Sequence, residues 1–377
     1  MRYTVNVLRG VRARIGHYGW AAIFVLGALL AAAAAPVSAQ TRISNQFALL
    51  AQPSPTVLPL LPPLPAMSPT PVPALRPLRW VYMVGATIPQ SLRDHADQID
   101  VLSPAWFHAN ADGTLYGSDS PAVTQFAKAH GIKVVPIVAN GEFQQSVSHA
   151  LVTDGNRQTA LLDSLQWLTN TFGYDGVNID FENLSPGDRA PFSALMTNVY
   201  ARLHPLGRLV TIALPAKTSE TYGGWSGGFD YAGIAPNVDL ALVMAYDQHY
   251  RGGPPGPVAD VAWVNDVINY ALGEFPPNKL LLGLPFYGYD WSVWGGGGRP
   301  VSYADVVNTV FSTGAQIQMH GPSQSPFFTY GDRVVWFENS SSLRAKVDLV
   351  ALHNLAGWGA WRLGQEDPNF WTLTLSK

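Results

Sequence analysis

The sequence predicts a (β/α)8 TIM barrel with a small α+β insertion after the seventh strand. Eight apolar, β-rich segments recur between residues 79 and 364, most of them are followed by a segment with helical spacing, and no GxGxxG turn follows the first strand. Hydrophobic strands that alternate with helices indicate a parallel sheet covered on both faces. Eight such units in about 300 residues favour a closed barrel over an open, nucleotide-binding sheet.

The predicted strands follow one another at regular intervals, and each is an apolar run rich in β-branched or aromatic residues. They cover 79–86, 98–107, 132–140, 174–182, 209–216, 238–247, 279–289 and 357–364. Short apolar runs of this kind are typical of strands that are buried on both faces.

The predicted helices lie between these strands and show apolar positions at helical spacing. They cover 121–131, 157–173, 188–204, 259–275 and 340–355. The first two end in glycine, which is common at helix C-termini. Between Trp291 and Phe337 the alternation breaks, and a helix-like segment at 302–311 is flanked by short β-like runs. This break predicts the insertion, placed among the loops that form the active-site face of such barrels.

Composition limits the possible functions. The chain has 377 residues, of which 47% are hydrophobic and 13% charged, with a formal net charge of −3. The balanced charge argues against nucleic-acid binding, because that function usually needs a basic face. The sequence contains no cysteine, which excludes disulfides and cysteine nucleophiles, and its nine histidines show no HxxxH spacing. We therefore expect no metal and no cofactor.

The N-terminal region has the features of an export signal. Arginines precede an apolar run at 20–35, and small residues follow it up to Ala39. This arrangement predicts a secretory signal peptide over residues 1–39, and hence a secreted or extracytoplasmic protein with no membrane span after cleavage. An uncleaved anchor is the alternative, but the run is shorter than the roughly 20 residues that span a bilayer comfortably.

A proline-rich segment separates this signal from the predicted barrel. Ten prolines lie between Pro53 and Pro77. Proline disfavours helix and favours an extended polyproline-II conformation, so residues 40–78 are predicted to form a linker. A leader without a role is the alternative. The catalytic domain is expected to cover residues 79–377, and we expect a monomer.

The segment YDGVNIDFENL, from Tyr174 to Leu184, carries the clearest functional signal. Asn178, Asp180 and Glu182 alternate with apolar residues, so a strand places all three on one face. Carboxylates on one face repel each other, and burial increases the cost. A buried network that holds a turn is one explanation. Catalysis is favoured because other predicted strands also end in polar groups, at the barrel end that carries active sites.

Three motifs together resemble glycoside hydrolase family 18. DGVNIDFE resembles the fourth-strand motif of that family, and MAYD, which ends at Asp247, resembles its sixth-strand motif. GAWRLGQEDPNFW resembles the eighth-strand segment of the bacterial branch that degrades peptidoglycan and includes spore-cortex N-acetylglucosaminidases. The resemblance covers roughly residues 79–375. It implies hydrolysis of β-1,4 bonds beside N-acetylated sugars, by a retaining mechanism in which the substrate supplies the nucleophile.

The resemblance also implies a role for each matching residue. Glu182 would be the general acid that protonates the glycosidic oxygen. Asp180 would orient the acetamido N–H of the sugar and stabilise the developing positive charge. Tyr246 would hydrogen-bond the acetamido carbonyl, Asp247 would help to hold the sugar, and Trp361 would stack beneath it.

Three further residues are candidates for substrate contact. Asn178 stands where many chitinases have Asp, and that Asp can share a proton with its neighbouring Asp during turnover. An amide can donate a hydrogen bond to Asp180 but cannot titrate, so this proton sharing is not expected here. Asn at this position looks typical of the peptidoglycan-directed branch. Trp106 and Tyr287 are aromatic candidates for sugar stacking, for which core packing is the alternative. The sequence also does not decide between sugar stacking and core packing for Trp225, Trp291 and Trp294.

Three functions remain from these observations. The leading hypothesis is an exported glycosidase that acts on an N-acetylglucosamine-containing polysaccharide, with peptidoglycan-type glycan favoured over chitin. A chitinase or chitooligosaccharide hydrolase with the same machinery is the second. The third is a non-catalytic, lectin-like barrel; such relatives usually lack the Glu of the fourth-strand motif, so the presence of Glu182 favours an enzyme.

Overall fold

The computed structural model of this chain describes residues 76–373. The predicted signal peptide (1–39) and all but the last three residues of the predicted linker (40–78) lie outside these residues, and both stay predictions. The first strand begins at Leu78, one residue inside the predicted linker. No helix between residues 76 and 373 is long and apolar enough to cross a bilayer.

Eight parallel strands close into a barrel, which confirms the predicted fold. In chain order they are β1 Leu78–Met83, β2 Val101–Ala109, β3 in two pieces (Lys133–Val134 and Ile137–Ala139), β4 Gly176–Asp180, β5 Leu209–Pro215, β6 Leu240–Met244, β7 Leu280–Pro285 and β8 Gly357–Trp361. Each strand pairs with the next, and β8 pairs with β1 to complete the ring. A short strand, Leu115–Gly117, folds back antiparallel onto β2.

Helices follow most of the barrel strands. The α-helices are Gln90–Asp94, Pro121–Ala129, Gln145–Thr153, Gly155–Phe172, Arg189–Leu203, Tyr231–Ile234, Val261–Glu274, Ser340–Leu352 and Phe370–Leu373. Short 3-10 helices cover Ala96–Gln98, Pro186–Asp188, His204–Leu206, Ala235–Asn237 and Pro277–Lys279. All five predicted helices are present, with ends that differ by a few residues.

The apolar core has two layers, and the layers explain the alternation in β4. Val177, Ile179 and Phe181 are at most 1% exposed and belong to the large cluster between the sheet and the helices. A smaller cluster around Trp80 and Leu242 fills the barrel interior. Since successive residues of a strand face opposite sides, the polar positions between the three apolar residues face the interior.

The insertion is a five-stranded antiparallel sheet with one helix. In spatial order its strands are Gly298–Ser302, Tyr287–Ser292, Arg333–Trp336, Ser325–Tyr330 and Gln318–His320, and the helix is Tyr303–Thr313. The insertion therefore begins at Tyr287, earlier than the predicted break at Trp291.

Two predicted strands are each divided in the structure. The prediction at 279–289 joins β7 to the first insertion strand, because one apolar run continues through the change of sheet. The prediction at 132–140 joins the two pieces of β3, which lie on either side of Pro136. Proline has no N–H to donate to a neighbouring strand, so regular pairing is interrupted there.

Candidate active site

A cavity of about 1010 Å³ opens at the C-terminal ends of the barrel strands. Loops at this end come from different parts of the chain, and the insertion contributes one wall. Six of the eight residues predicted for the site line this cavity: Asp180, Glu182, Tyr246, Asp247, Tyr287 and Trp361.

The end of β4 places two carboxyl groups in this cavity. Asp180 is the last residue of β4 and is 8% exposed, and Glu182 follows two positions later and is half-buried. Phe181 between them is 1% exposed and faces the helix layer. Oδ1 of Asp180 is buried and accepts no hydrogen bond from any residue in the described range.

Burial raises the pKa of both carboxyl groups. For Glu182 burial is the largest cause, and the negative charges of Asp180 and Asp247 raise its pKa further. For Asp180 burial is the cause of the raised pKa. The charge of Asp180 is second to burial among the causes of the raised pKa of Glu182. Two adjacent buried acids with raised pKa values favour retention of a proton near neutral pH.

The backbone of Glu182 is held by the side chain of Asn140, a residue that is not among the predicted site residues. The Glu182 N–H donates to Oδ1 of Asn140 at 2.9 Å, and Nδ2 of Asn140 donates to the Glu182 carbonyl at 2.9 Å. Nδ2 also donates to Oγ of Ser148 at 2.7 Å. Asn140 is fully buried just after β3. This paired contact fixes the peptide that carries the proposed acid.

The cavity surface does not include Asn178 or Trp106. Asn178 is 1% exposed, and its Nδ2 donates to Oγ1 of Thr211 at 2.9 Å and not to Asp180. Trp106 is 7% exposed and packs in the core, where its indole N–H donates to the carbonyl of Gly85 at 2.8 Å. Asn178 faces the barrel interior, which side chains fill, whereas Trp106 packs in the large cluster between the sheet and the helices.

Tyrosines surround the carboxyl group of Asp247. Its Oδ1 accepts hydrogen bonds from the hydroxyl groups of Tyr287 at 2.6 Å and Tyr289 at 3.1 Å, both on the first insertion strand. Asp247 has a left-handed backbone, with φ of 59°. The ring of Tyr246 meets Tyr287 edge-on at 6.2 Å. Burial raises the pKa of Tyr246 well above its ordinary value, so its phenol stays protonated and can donate a hydrogen bond.

Aromatic side chains form much of the cavity wall. Trp361 lies 5.8 Å from the ring of Tyr82, with the two planes tilted by 51°. Trp225 is half-exposed, and a hydrogen bond from its side chain to the carboxyl group of Glu182 lowers the pKa of that group slightly against the larger raising effects. For two other tryptophans the sequence does not decide between sugar stacking and core packing. Trp291 is buried and Trp294 is exposed, and neither lines the cavity.

Several residues that line the cavity are not among the predicted candidates. Tyr289 lies in the run assigned to the end of the seventh strand, and Arg362 follows Trp361. The alternation of Tyr289 with Tyr287, and the position of Arg362 just after a barrel strand, are signals that could have indicated them. Within the described part of the chain, no group of three or more His, Asp or Glu side chains is arranged to hold a metal ion.

A closed parallel barrel with two carboxyl groups at the end of β4, facing an aromatic-walled cavity, is an arrangement typical of barrel glycosidases. The family model for glycosyl hydrolases family 18 matches residues 79–366. The chain belongs to this family.

Similar proteins include enzymes of the spore cortex and chitinases. The chain is 31% identical over 303 residues to the cortical fragment-lytic enzyme of Bacillus subtilis (strain 168), covering 77% of this chain and 70% of that protein. Its structure resembles the Bacillus cereus spore cortex-lytic enzyme SleL, with a TM-score of 0.74, 26% identity and coverage of 79% and 73%. It also resembles a chitinase from Chromobacterium violaceum ATCC 12472, with a TM-score of 0.74, 26% identity and coverage of 79% and 98%.

Proposed function

We propose that this protein is an exported glycosidase that cleaves β-1,4 bonds at N-acetylglucosamine in peptidoglycan-type glycan, by a substrate-assisted retaining mechanism. The observation that carries the proposal is the pair of a buried Asp180 and a half-buried Glu182, two positions apart at the cavity surface and both with raised pKa values. The relatives named for cortex lysis support the choice of glycan, and the predicted signal peptide supports export.

In the proposed first step, Glu182 donates its proton to the glycosidic oxygen as the bond to C1 breaks. The carbonyl oxygen of the substrate's 2-acetamido group forms a new bond to C1 and gives an oxazolinium ion. Asp180 accepts a hydrogen bond from the acetamido N–H and stabilises its positive charge. The Tyr246 hydroxyl donates to the acetamido oxygen and fixes its direction of attack.

In the proposed second step, the Glu182 carboxylate removes a proton from a water molecule that attacks C1. The oxazolinium ring opens, the acetamido group is restored, and Glu182 regains its proton. Two inversions at C1 leave the configuration retained. General acid–base catalysis of this kind contributes about 10²–10⁴-fold to rate. Trp361 would support the sugar ring, and Asp247 would hold a sugar hydroxyl through the oxygen that its two tyrosine partners leave free.

A chitinase is the second candidate function, because the chain resembles a bacterial chitinase about as well as it resembles SleL. Both candidates use the same machinery and differ in the glycan that fills the cavity. A lectin-like barrel is less well supported, since both carboxyl groups expected for catalysis line the cavity.

The test is hydrolysis of purified peptidoglycan and of chitin oligomers, side by side, with the products identified by mass spectrometry. Cleavage of peptidoglycan to fragments with N-acetylglucosamine at the reducing end supports the proposal, and the product lengths separate exo from endo action. Cleavage of chitin alone moves the function to chitin turnover. Sugar binding without cleavage of either polymer supports the lectin-like alternative. Cleavage of a de-N-acetylated polymer at a comparable rate contradicts the substrate-assisted mechanism.

A further inference from the structure

Arg362 lies in the cavity wall as a cation with no partner among residues 76–373. It follows Trp361 at the end of β8, is half-buried, and lines the cavity, as do Gln365 and Pro300. Its guanidinium group makes no hydrogen bond or ion pair with any residue of this range. Burial alone shifts its pKa, downward, with no contribution from a nearby acid.

The nearest acid in sequence is already engaged elsewhere. Oε2 of Glu366 accepts the N–H of Gly364 at 2.7 Å, and Oε1 accepts the indole N–H of Trp371 at 3.2 Å and the hydroxyl of Ser91. Partly buried arginines usually pair with carboxylates, because an unpaired charge loses hydration without compensation. An anion that entered the cavity would supply the missing partner.

The charged residues that line the cavity indicate what Arg362 could bind. Three acids line the cavity, namely Asp180, Glu182 and Asp247, and Arg362 is the one lysine or arginine among its lining residues in the described range. A neutral glycan needs no cation there. An acidic glycan would be repelled by any ionised carboxylate and would need a compensating positive charge.

We infer that Arg362 binds a carboxylate of the glycan at a subsite next to the cleavage position, so that the enzyme prefers acidic to neutral N-acetylated glycan. This inference rests on the proposed function. In a glycan that alternates N-acetylglucosamine with N-acetylmuramic acid, both neighbours of the cleaved N-acetylglucosamine carry a lactyl group. Its carboxyl is free where the stem peptide has been removed, and the stem peptide itself bears carboxylates. A planar guanidinium group suits two-point binding of either one.

The test compares tetrasaccharides of equal length: one with alternating muramic acid and free lactyl carboxylates, one with stem peptides attached, and neutral chitotetraose. For each, kcat/KM is measured with the wild type, Arg362→Gln, the charge-retaining Arg362→Lys, and Arg251→Gln. The last is the matched control, because Arg251 is exposed and does not line the cavity.

Arg362→Gln is expected to lower the ratio of acidic to neutral kcat/KM by roughly ten- to a hundredfold, the range for a lost hydrogen bond to a charged group. Arg362→Lys should restore part of the ratio, and Arg251→Gln should keep it. A loss on the peptide-free glycan identifies the lactyl carboxylate as the ligand, and a loss confined to the peptide-bearing glycan identifies a stem-peptide carboxylate. An unchanged ratio in Arg362→Gln overturns the inference.

Binding separates this inference from the proposed function. Affinities for the three glycans are measured by calorimetry in Glu182→Gln, with and without Arg362→Gln. Selective loss of affinity for an acidic glycan supports the role of Arg362 even if the wild type cleaves none of them, in which case the proposed function fails alone. Equal loss on all three glycans, or loss on none, overturns the role of Arg362 even if the wild type cleaves peptidoglycan.

Discussion

Glu182 is the residue on which the proposed chemistry depends most directly. Glu182→Gln keeps the size of the side chain and its place in the cavity but removes the proton donor. We expect kcat to fall by about 10²–10⁴-fold while the affinity for glycan, measured by calorimetry, changes little. An unchanged kcat would remove Glu182 from the role of general acid.

The pH profile should report the raised pKa of Glu182. A general acid must be protonated, so kcat/KM falls as pH rises through its pKa, and burial places this pKa well above the ordinary 4.5. The charge of Asp247 raises it further. Asp247→Asn should therefore move the basic limb of the profile to lower pH. Asp266→Asn removes the same charge from an exposed helix position and should leave the limb in place. A limb that moves upward in Asp247→Asn would contradict this assignment.

Asn140 should act as a positioning residue for the acid. Asn140→Ala removes both hydrogen bonds to the Glu182 backbone, and displacement of a catalytic group by about 1 Å can cost about 10²-fold in rate. We expect kcat to fall by up to about 10²-fold, with little change in glycan affinity. Ser148→Ala is the matched control, because it removes a neighbouring bond to Nδ2 of Asn140 and spares the two to Glu182. Equal losses of kcat in both variants would indicate a general effect on folding.

At the scale of elements, the first insertion strand connects the site to a charged cluster. Tyr287 and Tyr289 on one face bond to Asp247, and Asp290 on the other face is 1% exposed. Asp290 accepts hydrogen bonds from Arg333 at 2.6 Å, Tyr330 at 2.7 Å and Arg299 at 3.1 Å. The cluster therefore fixes the strand that presents the tyrosines.

Asp290→Asn should weaken this strand and, through it, the site. We expect the free energy of unfolding in denaturant to fall by about 2 kcal/mol, the range for hydrogen bonds to charged groups, with a parallel loss in kcat/KM. Asp332→Asn removes an exposed charge from the turn between Tyr330 and Arg333 and should change neither quantity. A stable Asp290→Asn protein with full activity would show that the cluster does not support the tyrosines.

Local sequence patterns predict some parts of the fold and of the site but not others. The presence of the eight strands was predictable, because each contains a short apolar run. The end of β7 was not, since Leu280 to Trp291 is nearly continuous in apolar character while the pairing partner changes near Phe286. The Asp180 and Glu182 pair followed from alternation in one strand. The contacts of Asn140 with Glu182 and the surroundings of Arg362 depend on segments far apart in sequence, and no local pattern encodes them.

At the scale of the whole molecule, the seam between the first and last strands closes the barrel. Leu78 of β1 lies opposite Gly357 of β8, and a Cβ atom at Gly357 would stand 2.1 Å from the Leu78 carbonyl oxygen. The two backbones can approach this closely because position 357 has no side chain.

Gly357→Ala should separate the seam and destabilise the entire barrel. We expect a cost of about 1–3 kcal/mol, as for other overpacked sites, visible as a lower midpoint of thermal unfolding. Gly273→Ala is the control: it lies in the helix Val261–Glu274, where an added Cβ atom would meet no described atom within 4 Å, so alanine should stabilise by up to about 1 kcal/mol. Equal midpoints of thermal unfolding for Gly357→Ala and the wild type would show that β1 and β8 can move apart at no measurable cost in stability.

The insertion wall is attached to the barrel at more than one point. A single residue, Phe286, separates β7 from the insertion sheet; its N–H donates to the Trp361 carbonyl at 2.7 Å, and its ring packs on Phe370. The tyrosine bonds to Asp247 form a second attachment. A wall braced in this way resists the hinge motion by which many enzymes close over a substrate. The cavity would then keep a fixed width. The flexibility of the glycan chain, more than any movement of the enzyme, would decide which segments of the polymer can enter it.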